Sequence, residues 1–256
     1  MSLQACADLV ARGDPDRFAA AMAAPVAARR VLFPLYAFNL EVARAPWLTQ
    51  EPMIAEMRLQ WWRDVLDEIA GSGPVRRHEV ATPLAEALDP AGARLLDGLI
   101  EARRRDITGE PFDDAEALAA YLDATAGTLM WVAAQRLGAG AEAEPVVRGF
   151  AYGAGLAAWF RAIPELEARG RHPLPDGRPG AVQALARDGL RRIKLARASR
   201  RALAPRAAPA LYSGWQAPAL LRRAAADPVR VAEGRLDVSP FSRRLRLLAL
   251  STTGRW

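Results

Sequence analysis

The chain has 256 residues but only one cysteine and two histidines. Cys6 has no partner for an internal disulfide, which excludes a secreted disulfide scaffold and a Cys-based zinc site. His78 and His172 both fall in proline- or charge-rich loops, a poor basis for a Ser-His-Asp or Cys-His centre, and no G-x-S-x-G sequence occurs. Lysine is nearly missing as well. Lys194 is the single lysine among 35 basic residues and follows no glycine loop, so no phosphate-binding P-loop is present. Gly138 and Gly140 follow no strand-like run and give no support to a dinucleotide fingerprint. Strict two-residue alternation of β-branched residues is also missing, which argues against sheet.

Long apolar runs are scarce. The longest clean one, residues 151–160, is ended by Arg161, well short of the roughly 20 residues a membrane span requires. The first residues, MSLQACADLVARGDPDRF, meet charge early and hold no apolar core of signal-peptide length. The expectation is a cytoplasmic protein, with a peripheral place on the inner face of the membrane left open.

What is present is helical pattern. Hydrophobic residues make up 51% and charged residues 25%, the balance of a folded globular chain large enough to bury a core without staples. Ile54, Met57, Trp61, Val65 and Ile69 recur at steps of three and four and predict one helix over 53–70 with these residues as its buried stripe. Residues 16–45 read as two helices broken around Pro25 and Pro34. Further helices are expected over 82–89, 91–107, 113–137, 145–168, 180–203 and 215–227, with Asp113 and Asp114 placed for an N-cap and Gly138 for a stop. Glycine and proline cluster at 71–74, 138–145 and 170–180 as inter-helix loops. The fold class is therefore all-α. A helical domain is expected over 1–205, a looser connection over 204–218, and a basic helical extension over 206–256 packed on the same domain.

Charge is unevenly spread. Residues 1–166 carry 16 basic and 23 acidic side chains, whereas 167–256 carry 19 basic and 6 acidic. Arg187, Arg191, Arg192, Lys194, Arg197, Arg200 and Arg201 crowd one segment. Such a half suits an acidic partner protein or an anionic membrane surface. No nucleic-acid motif accompanies it, and nucleic acid is not expected as a partner. The excess of Arg over Lys in an Ala-rich chain also reflects genome composition, and a plain solvated basic face explains the same residues.

Two clusters could carry chemistry. Asp64, Asp67 and Glu68 fall within one helical turn, and Asp64 with Glu68 could share a cation such as Mg²⁺, although a wet helix side accounts for them equally. Trp61 and Trp62 point about 100° apart on a helix, so one can enter the core while the other lines a groove.

Four stretches together resemble the squalene/phytoene synthase family: LFPLYAFNLEVARAPW (32–47) after Arg29-Arg30, LQWWRDVLDEIAGSGPVRRHEVATPLAEAL (59–88), PFDDAEALAAYLDATAGTLMWVAAQRLG (111–138) with its Tyr and Ala-Gly-Thr step, and AYGAGLAAWFRAIPELEARGRHPLP (151–175). The resemblance covers about residues 14–205 and implies a single-domain, isoprenoid-synthase-type helical bundle. In active members two aspartate clusters face each other across a cavity and hold Mg²⁺ ions that help ionise a prenyl diphosphate. Here the positions of the first D-D-x-x-D fall on Ala43, Arg44 and Trp47. In the second motif Arg161 and Glu165 remain, while Ala158, Ala162 and Leu166 stand where Asn and the aspartates would be; Gly170, Arg171, Leu174 and Pro175 are kept.

The resemblance therefore implies a member that has lost its metal ligands, with no cofactor expected. Residues 51–64 (EPMIAEMRLQWWRD) are most similar to the branch resembling mitochondrial complex I assembly factors. The leading expectation is a non-catalytic assembly or lipid-binding factor. The alternatives are a head-to-head prenyltransferase using Mg²⁺ with displaced ligands, and an isoprenoid or quinone carrier. Should a diphosphate bind, Arg161, Arg169 and Arg171 are its expected contacts, with salt bridges to Glu165 and Glu167 as their competing role. Tyr36, Phe38, Trp62 and Trp159 are expected to line the cavity around an isoprenoid or lipid ligand. Asp64 and Glu68 are the only metal candidates.

Overall fold

A computed structural model describes residues 2–49, 51–71 and 73–256. Ser72, within the expected 71–74 loop, lies outside the described residues. The chain opens with α1 (Leu3–Gly13), α2 (Pro15–Ala23) and α3 (Val26–Arg44). α4 (Pro52–Ala70), α5 (Ala81–Ala87), α6 (Pro90–Arg103) and the short α7 (Arg105–Thr108) follow. α8 (Ala115–Leu122) runs through a π-helical turn at Asp123–Gly127 into α9 (Thr128–Arg136). α10 (Glu144–Ala168), α11 (Pro179–Ala198), a 3₁₀ helix at Pro205–Gly214, α12 (Ala217–Ala226), α13 (Val229–Ala232) and α14 (Pro240–Thr253) complete it. No strand occurs among the described residues.

α10 is the central element, packed by α8, the π turn, α9, α11, the 3₁₀ helix, α12 and α13. Its sequence AYGAGLAA explains this position, because small side chains let neighbours approach on several sides. A side chain at Gly153 would come within 2.9 Å of the Gly189 carbonyl on α11 and 2.6 Å of Ile193, so this crossing tolerates only glycine. α10 ends in a Schellman turn. Gly170 takes φ +74°, its N–H donates to the Glu167 carbonyl, and the Arg171 N–H donates to that of Leu166.

Pro25 separates α2 from α3 as the sequence suggests, but Pro34 does not break α3. It lies inside a run buried from Leu32 to Leu40, and this packing holds the helix together despite the missing N–H. The stretch 204–218 is not a loose connection either. Ala207, Pro209, Ala210, Leu211 and Tyr212 are buried in the core, which makes the residues beyond 205 integral to the bundle. The continuous helical stretch Ala115–Arg136 does meet the length and hydropathy of a membrane span, contrary to the scarcity of apolar runs noted above. Since 67% of its most apolar window is buried in the fold, it behaves as a core helix.

Trp62 enters the core edge-on to Phe38, with ring centroids 5.4 Å apart. Its neighbour Trp61 sits half-buried under Arg76 and against His78. His78 is itself a structural cap, its Nδ1 accepting the N–H groups of Val80 and Ala81 at 3.2 and 3.4 Å. Cys6 is fully buried, and burial, with Glu79 nearby, pushes its thiol up to about 11.

Asp89 caps α6, the helix that delivers Arg103 to the cavity. It accepts the Gly92 N–H at 2.7 Å and Arg136 Nη1 at 2.5 Å. Burial alone would raise its pKa, but these donors outweigh burial and hold the carboxyl below its ordinary value. Its contribution is therefore present above the unfolded carboxylate range near pH 4 and disappears as pH falls through the lower folded value. Replacement D89A is expected to cost about 1–2 kcal/mol at neutral pH, chiefly the lost cap, since the exposed ion pair adds under about 1. Urea unfolding at pH 7 and near pH 3 checks this, with the mutant and parent converging at the lower pH.

Candidate functional site

A cavity of about 340 Å³ opens between α2, α3, α8, α9, α10 and the 3₁₀ helix. Leu122, Leu129, Met130 and Leu220 give it apolar walls. Tyr121, Leu122, Thr125, Ala126, Leu129 and Met130 all reach it from one helical stretch. Residues four apart drift around a regular α-helix, and the wider π turn absorbs that drift, keeping both rows on the cavity side. Ala43, Trp47, Ala158, Ala162 and Leu166 lie on the same wall system, so α3 and α10 face each other across the space without a carboxylate at these positions.

Three carboxylates do reach the cavity, each engaged by an arginine. Asp14 caps α2 through the Arg17 N–H at 3.0 Å, and its other oxygen lies 3.5 Å from the Arg17 guanidinium. Asp16 receives Arg161 of α10 at 2.7 Å and Arg243 of α14. Asp106 receives Arg103 at 3.0 Å and the Tyr121 hydroxyl at 2.8 Å. Burial disfavours the Arg103 cation, but Tyr121 and Asp106 overcome this and raise its pKa above the ordinary arginine value. Burial also pushes the Tyr121 phenol up, so it serves as a hydrogen-bond donor to Asp106. Among the described residues no group of three or more His, Cys, Asp or Glu side chains converges as a metal set.

Two polar atoms of lining residues lack a hydrogen-bond partner, Arg103 Nε and the Tyr36 hydroxyl. The Tyr36 hydroxyl is buried, makes no hydrogen bond within ordinary geometry although Ser213 shares its cavity wall, and carries the Arg17 guanidinium 5.6 Å from its ring centre. Burial raises its pKa and leaves it a neutral donor.

The expected site residues divide. Tyr36, Trp159 and Arg161 are on the cavity. Trp159 is fixed there by its Nε1 bond to the Pro173 carbonyl at 2.9 Å and by Tyr121, 5.3 Å away ring to ring. Phe38 and Trp62 are not among the lining residues; they are occupied with each other in the core. Arg169 and Arg171 are not brought beside Arg161. They stack on Trp47 at 5.1 and 5.6 Å, facing a separate groove. Arg169 pairs with Glu165 at 2.6 Å, as its competing role requires. Arg161 pairs with Asp16 and Asp237 rather than with Glu165 or Glu167. Asp64 and Glu68 lie off the cavity on α4, where Arg76 binds Glu68 at 2.8 Å and stands 3.8 Å from Asp64. Asp14, Asp16, Arg17, Arg103 and Asp106 escaped the sequence reading, since they come from three separate helix ends with no shared motif.

A family model described as squalene/phytoene synthase matches residues 10–238. The chain belongs to the squalene/phytoene synthase family. Its fold is that of solved family structures. A dehydrosqualene synthase crystallised with ligand superposes with TM-score 0.81 at 12% identity, covering 98% of this chain and 95% of the other. A squalene synthase from Alicyclobacillus acidocaldarius gives TM-score 0.68 at 18% identity, with 88% and 94% covered. In sequence, the chain is similar to proteins named NADH dehydrogenase (ubiquinone) complex I, assembly factor 6. The Bos taurus protein is 25% identical over 66% of this chain and 52% of its own length. The Drosophila melanogaster homolog is 33% identical over 49% of this chain and 39% of its own. The chain thus spans about half or less of the curated relatives it matches.

Removing Asp106 would leave the Arg103 guanidinium buried without its anion. Replacement D106A is expected to destabilise the protein by about 3–5 kcal/mol, and Y121F by about 1 kcal/mol. Equilibrium urea unfolding measures both, and equal small losses would show that the pair is solvated.

Proposed function

We propose that this member of the squalene/phytoene synthase family has lost the family's metal-dependent chemistry and works as a non-catalytic, lipid-binding assembly factor of the respiratory complex I type. The observation that supports the reading is that Ala43, Trp47, Ala158, Ala162 and Leu166, the positions where the family resemblance leads one to expect the metal-binding motifs, line the cavity without a carboxylate. Mg²⁺ requires near-octahedral oxygen ligation with free carboxylates. The carboxylates that reach this cavity do not fit that role, because Asp14 and Asp16 at the start of α2 and Asp106 on α7 are each paired with a guanidinium. A cation would have to displace an arginine at every one of them.

Binding of a lipid is favoured by what remains. The walls are largely apolar, and the unpartnered Tyr36 hydroxyl offers one buried hydrogen bond to a headgroup. Similarity to proteins named complex I assembly factor 6 supports the assembly role. The chain's own residues would then hold a ligand without turning it over: the Arg103, Asp106 and Tyr121 cluster fixes the wall, and Trp159 closes its side.

Calorimetric titration with farnesyl diphosphate, with and without Mg²⁺, followed by extraction of products, tests the reading. The expected outcome is no Mg²⁺-dependent heat and no released diphosphate. Mg²⁺-dependent binding with formation of a coupled prenyl product would overturn it in favour of a prenyltransferase with displaced ligands.

A further inference from the structure

α14 is held to the body by a narrow strip. Leu250 is its one buried residue among those described, it packs chiefly on α2, and Arg243 reaches Asp16 at the cavity rim. The opposite face carries Phe241, Leu245 and Leu248, which are 77%, 56% and 60% exposed. At spacings of four and three they form one line along the helix. The helix, PFSRRLRLLALSTT, holds no acidic residue, and Arg244 and Arg246 are exposed beside the line.

Large apolar side chains lined up on an open surface call for an occupant. Here they stand as a ridge on the outward face of a single helix. A fluid apolar medium can accept such a ridge without a complementary surface. The flanking guanidinium groups match phosphate-bearing headgroups in charge and geometry.

We infer that α14 lies in the plane of an anionic lipid surface, with Phe241, Leu245 and Leu248 at the acyl boundary and Arg244 and Arg246 on lipid phosphates. This goes beyond the function proposed above and does not depend on the fate of the cavity. Because Arg243 of the same helix pairs with Asp16, docking holds the cavity rim close to the lipid.

The test is co-sedimentation of the full chain with vesicles of phosphatidylcholine alone or mixed equally with phosphatidylglycerol. The wild type is expected to pellet with the anionic vesicles and only weakly with the neutral ones. R244A and R246A should each weaken partition about fivefold at low salt. The triple variant F241S/L245S/L248S should lose at least about a hundredfold at any salt. All these side chains are exposed, so unchanged thermal melting verifies the fold, and L195S, at an exposed apolar site on α11, should bind as the wild type does. The inference is overturned if the wild type ignores anionic vesicles, or if the triple variant binds equally well. It is overturned too if L195S loses as much, or if the protein binds native membranes but not vesicles of their extracted lipid, which would indicate a protein partner.

Discussion

A guanidinium or carboxylate drawn out of water needs an opposite charge, and the cavity of this chain meets that need from within. Asp16 joins α2 to Arg161 on α10 and Arg243 on α14, residues far apart in sequence. Asp106 and Tyr121 hold Arg103 more locally, at the end of α6. These pairs tie the ends of the bundle to its centre, and they also decide the chemistry. A carboxylate engaged by an arginine is a poor ligand for a hard cation, and this is the physical basis of the proposal that the wall holds no metal.

The space itself depends on close packing around α10. Gly153 against Gly189 lets α11 come close on one side, and Gly214 lets the 3₁₀ helix reach Phe150 on another, where a side chain would meet its ring at 2.5 Å. The π turn at Asp123–Gly127 then aims Thr125 and Ala126 inward, and the Thr125 hydroxyl donates to the Tyr121 carbonyl at 2.7 Å. This frame surrounds a cavity with apolar walls of Leu122, Leu129, Met130 and Leu220 and a charged rim of Asp14, Asp16, Arg103 and Asp106.

Helical periodicity made most of the architecture legible. The periodicity from Ile54 to Ile69 became α4, but Ile54 and Met57 are exposed at its start and the face it buries runs through Ala55, Leu59, Trp62, Leu66 and Ile69; the runs before Arg136 and Ala168 became core helices. The errors came where tertiary packing overrides a local rule. Pro34 is tolerated because its neighbours are buried, and the proline-rich 204–218 segment is ordered by the core it enters. At the site, Tyr36, Trp159 and Arg161 line the cavity. Motif spacing could not separate Arg161 from Arg169 and Arg171, which the fold lays over Trp47 on a separate groove. Nor could spacing show Asp14, Asp16, Arg103 and Asp106 meeting at one rim, since nothing in their local sequence marks them. Asp64 and Glu68 have ligand spacing in the sequence, but Arg76, brought back by the following loop, engages both.

The central claim is that this cavity satisfies its charges internally and holds no divalent metal. Electron paramagnetic resonance of Mn²⁺, standing in for Mg²⁺ as another oxygen-seeking ion, tests it directly. With inorganic diphosphate held constant, added protein should leave the free-ion signal unchanged. A protein-dependent loss of that signal, abolished by D16N or D106N, would contradict the account.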